Sequence, residues 1–282
     1  MAILIADSGS TKTDWVCLQP GSDTPQIEVH TVGLNPFHVS DNEIRSVLQH
    51  ELLPQLGGTQ IDAVYFYGSG VRPEVEARVE GLIKEAFPAA QVVEAHSDLL
   101  GACRALCGHH EGIACILGTG ANSCVYDGTK VVHNTPALGY ILGDEGSGAV
   151  LGKHLLHDLY TGVLPQNLKN AFERESGMQL SEIINKVYRE PQANRFLASL
   201  SEFIHRHLDD EGIRQLVYNT FSDFANYHLS RYGRKDLSVS FVGSIAWYYK
   251  DQLSLILQMQ GYQVGTIMQS PLQGLISYHQ NS

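Results

Sequence analysis

The chain has 282 residues, 43% hydrophobic and 17% charged, a globular composition long enough for two lobes that each bury a core. Its 19 basic and 30 acidic side chains give a formal charge of −11, which repels nucleic acid and anionic membrane and removes both as expected partners. No run approaches the roughly 18 apolar residues of a membrane span. The opening Ala2-Ile3-Leu4-Ile5-Ala6 reads as a strand without a basic leader, so a cytoplasmic protein is expected.

In chain order the pattern predicts a strand over 2–6, a polar turn over 7–12, and strands near 13–18 and 26–32. Gly33-Leu34-Asn35-Pro36 then breaks the chain. A helix is predicted over 41–53 with Asp41 near the N-cap, a strand over 61–67, a helix over 73–86 and a strand over 91–95. Ser97 caps a further helix to Cys107. A meander followed by alternating units predicts a mixed sheet covered by helices. The pattern then begins again. Strands are predicted over 112–117, 122–126 and 130–133, with Asp127-Gly128 as a hairpin signal. Helices dominate 144–230, followed by a strand over 238–242, a helix over 245–260, a strand over 262–268 and a helix over 271–279. Each half opens with a strand, a Gly/Ser/Thr turn and a strand, a coarse internal duplication. The predicted lobes are 1–109 and 110–282, in contact, with the last helix free to pack back on the first lobe.

The five cysteines are odd in number and lack zinc spacing, so no disulfide framework is expected. Cys115 and Cys124 read as buried thiols. Cys103 and Cys107 share one face of a helix. The thirteen histidines are scattered, and His205 and His207 point to different sides of their helix, so they indicate no metal site.

Three turns carry chemistry. In Asp7-Ser8-Gly9-Ser10-Thr11-Lys12-Thr13-Asp14, small residues let backbone N–H groups approach a phosphate. The hydroxyls of Ser8, Ser10, Thr11 and Thr13 add donors, Lys12 adds positive charge, and Asp7 is placed to hold a hydrated Mg²⁺. The same turn alone is also compatible with a plain polar hairpin. Gly118-Thr119-Gly120-Ala121-Asn122 repeats its character at the matching place of the second half, and the pair suggests two jaws on one polyphosphate. Gly243-Ser244, between strand and helix, would aim a helix N-terminus at a ligand, or is an ordinary tight connection. No turn has P-loop spacing.

Two carboxylates stand out: Asp98, in His96-Ser97-Asp98-Leu99-Leu100-Gly101-Ala102, and Asp144, in Gly139-Tyr140-Ile141-Leu142-Gly143-Asp144-Glu145-Gly146-Ser147-Gly148. Each is compatible with a helix cap. An aspartate facing the phosphate turns is equally suited to take the proton of an attacking hydroxyl. The glycines around Asp144 suit a close backbone approach to a ligand, a hinge or simple packing.

Together these residues resemble the actin/hexokinase/Hsp70 superfamily. Asp7 to Asp14 is similar to its phosphate-1 motif, Gly118 to Asn122 to phosphate-2, and Gly243-Ser244 to its adenosine motif. Asp98 in Ser-Asp-Leu-Leu-Gly-Ala and the Gly-Asp-Glu-Gly-Ser run at 143–147 are most similar to the N-acetylglucosamine kinase branch, grouped with the BadF/BadG ATPases. The resemblance implies an α/β fold of two ribonuclease-H-like, actin-like ATPase lobes with an interlobe cleft. It implies ATP and Mg²⁺, the latter held by Asp7 through water. Gly9, Ser10, Thr11, Lys12, Thr13, Gly118, Thr119, Gly243 and Ser244 are implied on the nucleotide. Asn35, Ser69, Gly120, Asn122 and Asp144 are implied on the sugar, and Asp98 as the base that deprotonates its 6-hydroxyl. Lobe closure around the sugar is also implied, with the glycines near 139 and 143 placed to serve it.

The chain departs from the family pattern where Ser8 and Ser10 replace glycines, and it lacks the zinc-binding cysteines of ROK sugar kinases. Glucosamine and N-acetylmuramate are the neighbouring acceptors. The other function classes on this fold are an ATP-hydrolysing activator of a reductase, with an iron–sulfur cluster held between subunits, and a non-catalytic sugar or nucleotide sensor. Sugar kinases of this type often form homodimers.

Overall fold

The computed structural model describes residues 2–9, 12–19 and 25–280. Ser10 and Thr11, two of the expected phosphate contacts, lie outside the described residues. The chain divides into two compact units. The first comprises Met1–His110, Gly128–Lys130 and Ser270–Ser282, the second Glu111–Asp127 and Val131–Gln269.

The first unit is built on β1 (Ile3–Ser8), β2 (Lys12–Leu18), β3 (Ile27–Val32), β4 (Ala63–Gly68) and β5 (Val92–Ser97), in sheet order β3-β2-β1-β4-β5. The first three strands form an antiparallel meander, and β4 and β5 add in parallel. Alternation along the strands gives the sheet two apolar faces. Leu4, Ala6, Trp15, Val64 and Phe66 pack on one side with residues of α1 (Asp41–Val47) and α2 (Pro73–Ala86). Ile5, Val16, Leu18 and Tyr67 pack on the other with Ala105 of α3 (Asp98–Cys107) and Leu275 and Ile276 of the C-terminal helix (Leu272–Gln280).

Two local features differ from expectation. Ser40, rather than Asp41, caps α1, in a reciprocal capping box with Glu43. The helix expected to reach residue 53 stops at Val47 and continues as a π turn (Leu48–Leu52) and a 3₁₀ turn (Leu53–Leu56). Pro54 has no N–H to donate and its ring excludes the carbonyl four residues back, so the α ladder cannot pass it.

The second unit repeats the topology. β6 (Glu111–Leu117), β7 (Ala121–Asp127) and β8 (Val131–Thr135) form the meander, and β9 (Ser238–Val242) and β10 (Gln263–Met268) add in parallel, in order β10-β9-β6-β7-β8. Its helices are α4 (Gly139–Leu142), α5 (Gly148–Thr161), α6 (Gln166–Ser176), α7 (Leu180–Tyr188), α8 (Ala193–Ser199), α9 (Ser201–Arg206), α10 (Glu211–Tyr227), α11 (Ser244–Tyr248) and α12 (Lys250–Met259). One core joins the sheet residues Ile113, Cys115, Val239 and Phe241 to Leu151, Leu155, Phe221 and Phe224. The helix expected over 245–260 is two helices. Tyr249 leaves helical geometry, and its buried ring donates a hydrogen bond to Ser201 O at 2.5 Å.

Candidate functional site

In the first unit the β1–β2 turn, the chain after β3, the end of β4 and the start of α3 form one neighbourhood. Their hydroxyls follow a single direction. Leu34 N donates to Ser8 Oγ at 3.1 Å, Ser8 meets Thr13 Oγ1 at 2.8 Å, and Thr13 donates to Val32 O at 3.0 Å. The Ser8 and Thr13 hydroxyls, expected to face a phosphate, are therefore spent inside the protein, and both residues are buried. Gly9 closes the hairpin by donating to Lys12 O at 2.9 Å. Lys12 is exposed, with Nζ 2.7 Å from Asp14. His30 Nδ1 lies 2.7 Å from the same carboxylate.

Ser69 N donates to Ser8 O at 2.8 Å, which ties the end of β4 to the first turn. Asn35 is buried, and its Oδ1 accepts from Phe37 N at 3.0 Å. Gly70, at φ +80°, packs on that amide, and any side chain there would strike Asn35 Oδ1. Ser8, Asn35, Ser69 and Gly70 thus come together.

Ser97 caps α3 by accepting from Leu100 N at 3.2 Å, which leaves Asp98 as the first helical residue. Asp98 Oδ1 accepts from the adjacent Leu99 N at 2.8 Å. Burial raises the Asp98 pKa above its ordinary value, and the neighbouring N–H groups oppose that shift. Asp7 is pushed up to about 7, first by burial and then by the charges of Asp98 and Asp14, with Lys12 pulling the other way. Three carboxylates in electrostatic contact, one of them this costly to ionise, form an environment that favours a cation. Among the described residues no set of three His, Cys, Asp or Glu side chains is arranged to ligate a metal directly. Asp7 with a neighbouring carboxylate could hold a hydrated Mg²⁺, which takes only one or two carboxylates and keeps its waters.

In the second unit, Gly118-Thr119-Gly120 turns between β6 and β7, with Gly118 N donating to Gly120 O at 3.0 Å. The first turn of α5 docks beneath it. Gly148 N donates to Gly118 O at 2.9 Å and Ala149 N to Thr119 O at 3.2 Å. Gly243, at φ +122°, lies against Leu117 and Gly118, where a Cβ would strike the Leu117 carbonyl. Ser244 begins α11, a helix of only five residues.

Asp144 is buried and, though not glycine, adopts φ +60°, a conformation that persists where surrounding contacts impose it. Its Oδ1 accepts from Gly139 N at 3.1 Å. Burial raises its pKa, opposed by the N–H groups of Gly139 and Ala121. Gly120 is pressed on it, and a Cβ there would lie 2.8 Å from Asp144 Oδ2. Asn122 Oδ1 accepts from Ser123 N and from Asn134 Nδ2, both at 2.9 Å. Gly118, Thr119, Gly120, Asp144, Gly243 and Ser244 therefore gather around one turn, with Asn122 on the strand leaving it.

Sequence reasoning missed the Asp14–His30 pair, Asn134, and a link from Glu145 to His228. Glu145 lies inside the Gly-Asp-Glu-Gly-Ser run, and that was its signal. Asn134 and His228 had none, because each acts through a contact distant in sequence.

Two α/β units with one repeated five-strand topology, each opening on a strand, a small-residue turn and a strand, define the actin-like ATPase fold class. A ROK hexokinase from Thermus thermophilus shares the fold, with TM-score 0.53 and 16% identity over 99% of this chain and 97% of that one. So does a protein from Chromobacterium violaceum named "Putative N-acetylglucosamine Kinase", with TM-score 0.68 and 16% identity over 98% of each chain. A Porphyromonas gingivalis protein bearing the same name is 46% identical, with TM-score 0.95 over 99% of both chains. The chain belongs to the family of that protein, the N-acetylglucosamine kinase family of the actin-like ATPase superfamily. No family model matches the chain, and no curated protein matches it.

Proposed function

We propose that this chain is a phosphotransferase that moves the γ-phosphoryl group of ATP onto the 6-hydroxyl of N-acetylglucosamine. The observation that carries the reading is the 46% identity to the Porphyromonas gingivalis protein across 99% of both chains. The site supports it. Phosphoryl transfer asks a protein for positioning, charge neutralisation and one base. Asp98 is that base. Its carboxylate is not used up as the cap of α3, and burial moves its pKa toward the working range, where a base accepts a proton more readily.

Asn35, Ser69, Gly120, Asn122 and Asp144 hold the sugar. Asn35 and Asn122 each have their Oδ1 engaged by a backbone N–H, so each presents its Nδ2 donor to an acceptor on the sugar. Asp144 presents acceptors to its hydroxyls. Gly9, Ser10, Thr11, Lys12, Gly118, Thr119, Gly243 and Ser244 hold the nucleotide. Thr13 serves through the hairpin it closes rather than through its hydroxyl. Mg²⁺, when bound, neutralises charge on the phosphates, and Asp7 holds it through water.

The reductase-activator reading is disfavoured because Cys103, one of the two cysteines it would need at a surface, is wholly buried in α3. Among the described residues no helix is long and apolar enough to cross a membrane, and the reading places the enzyme in the cytoplasm.

The test is ADP release from Mg-ATP with N-acetylglucosamine, glucosamine, N-acetylmuramate, N-acetylmannosamine or glucose. Strong stimulation by N-acetylglucosamine is expected. Stimulation by none of them, with only slow ATP hydrolysis remaining, overturns the assignment.

A further inference from the structure

Glu145 belongs to the Gly-Asp-Glu-Gly-Ser run yet has no role in the reading above. His228 closes α10 and is 3% exposed. The two meet: His228 Nε2 donates to Glu145 Oε2 at 3.1 Å. The His228 ring stacks on Phe224 at 4.9 Å between centroids. Gly146, at φ +82°, rests on the same phenylalanine, where a Cβ would lie 2.9 Å from Phe224 Cβ. The loop that carries Asp144 is therefore seated on the end of α10 at two consecutive residues.

The other side of the imidazole faces the strand that carries Asn122. His228 Nδ1 lies 3.5 Å from Ser123 Oγ, Ser123 Oγ lies 2.7 Å from the Tyr232 hydroxyl, and Thr135 N donates to that hydroxyl at 3.1 Å. A backbone N–H only donates and a carboxylate only accepts. With His228 neutral and its proton on Nε2, the series runs from Thr135 through Tyr232, Ser123 and His228 to Glu145. Ser123, His228 and Tyr232 are all buried, so water does not compete for these bonds. The series touches the immediate neighbour of each candidate sugar contact, Ser123 beside Asn122 and Glu145 beside Asp144. It also supplies a constraint of the kind that a non-glycine residue at φ +60° requires.

We propose that His228 is a positioning residue for sugar binding, which through Glu145 and Ser123 holds Asp144 and Asn122 in the orientation that meets the sugar. The proposal rests on the reading of Asp144 and Asn122 as sugar contacts. A histidine that merely fills the core would leave the bond to Glu145 without consequence for substrate.

The experiment compares Glu145→Ala, Glu145→Gln and His228→Phe by steady-state kinetics in both substrates. Glu145→Ala removes the acceptor and should raise KM for the sugar by about tenfold or more, with KM for ATP close to wild type and Tm lowered by only a few degrees. Glu145→Gln keeps an acceptor oxygen and should restore most of the sugar affinity. His228→Phe keeps the ring stack and should repeat the sugar defect. An unchanged sugar KM in Glu145→Ala overturns the proposal, as does a rise in sugar KM, ATP KM and instability together, which marks plain structural support.

A crystal structure of Glu145→Ala gives a second readout that needs no turnover. Asp144 should leave φ near +60° and lose its bond from Gly139. An unmoved Asp144 overturns the proposal. Wild-type protein that phosphorylates none of the amino sugars sinks the sugar-kinase reading instead, and the crystal structure then decides the positioning claim by itself.

Discussion

In the proposed reaction the chemistry falls to a few buried carboxylates whose environments oppose their charge. Asp98→Asn keeps the volume and the contact to Leu99 N but removes the proposed base. Turnover should fall by about 10²- to 10⁴-fold, while nucleotide binding measured by calorimetry is retained; near-normal turnover would remove the base assignment. Asp7 gives a prediction about stability. Its pKa is about 7 in the folded protein against an ordinary 3.8, so between those values the native state binds more protons than the unfolded state. Stability from this group is therefore present at low pH and lost as pH rises through about 7. Asp7→Asn should raise Tm at about pH 8 in the absence of Mg²⁺, with a smaller gain at about pH 5, and should lose activity at both. A variant less stable than wild type at pH 8 contradicts this account of the site. Asp7, Asn35, Asp98 and Asp144 were visible in the sequence because each sits at a strand end or among glycines. The internal use of Ser8 and Thr13 was not visible, since it depends on Leu34 and Val32 arriving from β3 and the chain beyond it.

The elements that position these residues depend on close approaches that only glycine permits. Gly274 brings the C-terminal helix onto α3, where a Cβ would run into the Ala105 backbone. The same helix is fastened by His279, whose Nε2 lies 2.8 Å from the Tyr67 hydroxyl, and Tyr67 in turn accepts from Arg104 Nη1 at 2.6 Å. Gly274→Ala should cost about 1–3 kcal/mol, read as a lower denaturation midpoint at unchanged m-value, with faster amide exchange in α3 and the last helix; unaltered exchange there would contradict the packing argument. Strands with runs of buried β-branched residues and helices with a clear start, Pro73 at the first position of α2 and the Ser97 cap of α3, were legible within a residue or two. Breaks forced by one residue's surroundings were not. Periodicity carried past Val47 to Leu53 and through Tyr249, but the α ladder gave way to π and 3₁₀ turns ahead of Pro54 in one helix, and a buried hydroxyl bonded to Ser201 O split the other.

For the molecule as a whole, the repeated topology was legible because the strand–turn–strand opening recurs in the sequence. Each of the two compact units has its own core. Calorimetric unfolding without ligands should therefore give a measured enthalpy larger than the van't Hoff enthalpy, as expected when units unfold separately; a ratio of one would show a single cooperative block. The final segment from Ser270 belongs to the first unit, so its removal should destabilise the transition that includes β1 to β5 and leave the other largely unchanged.

The central claim is phosphoryl transfer to a particular oxygen of a particular sugar. Its most direct test is NMR of the product formed from N-acetylglucosamine and Mg-ATP. The account predicts one new phosphomonoester whose phosphorus couples to the two C6 protons. Phosphate on the anomeric oxygen, or ADP and inorganic phosphate with the sugar unchanged, would contradict it.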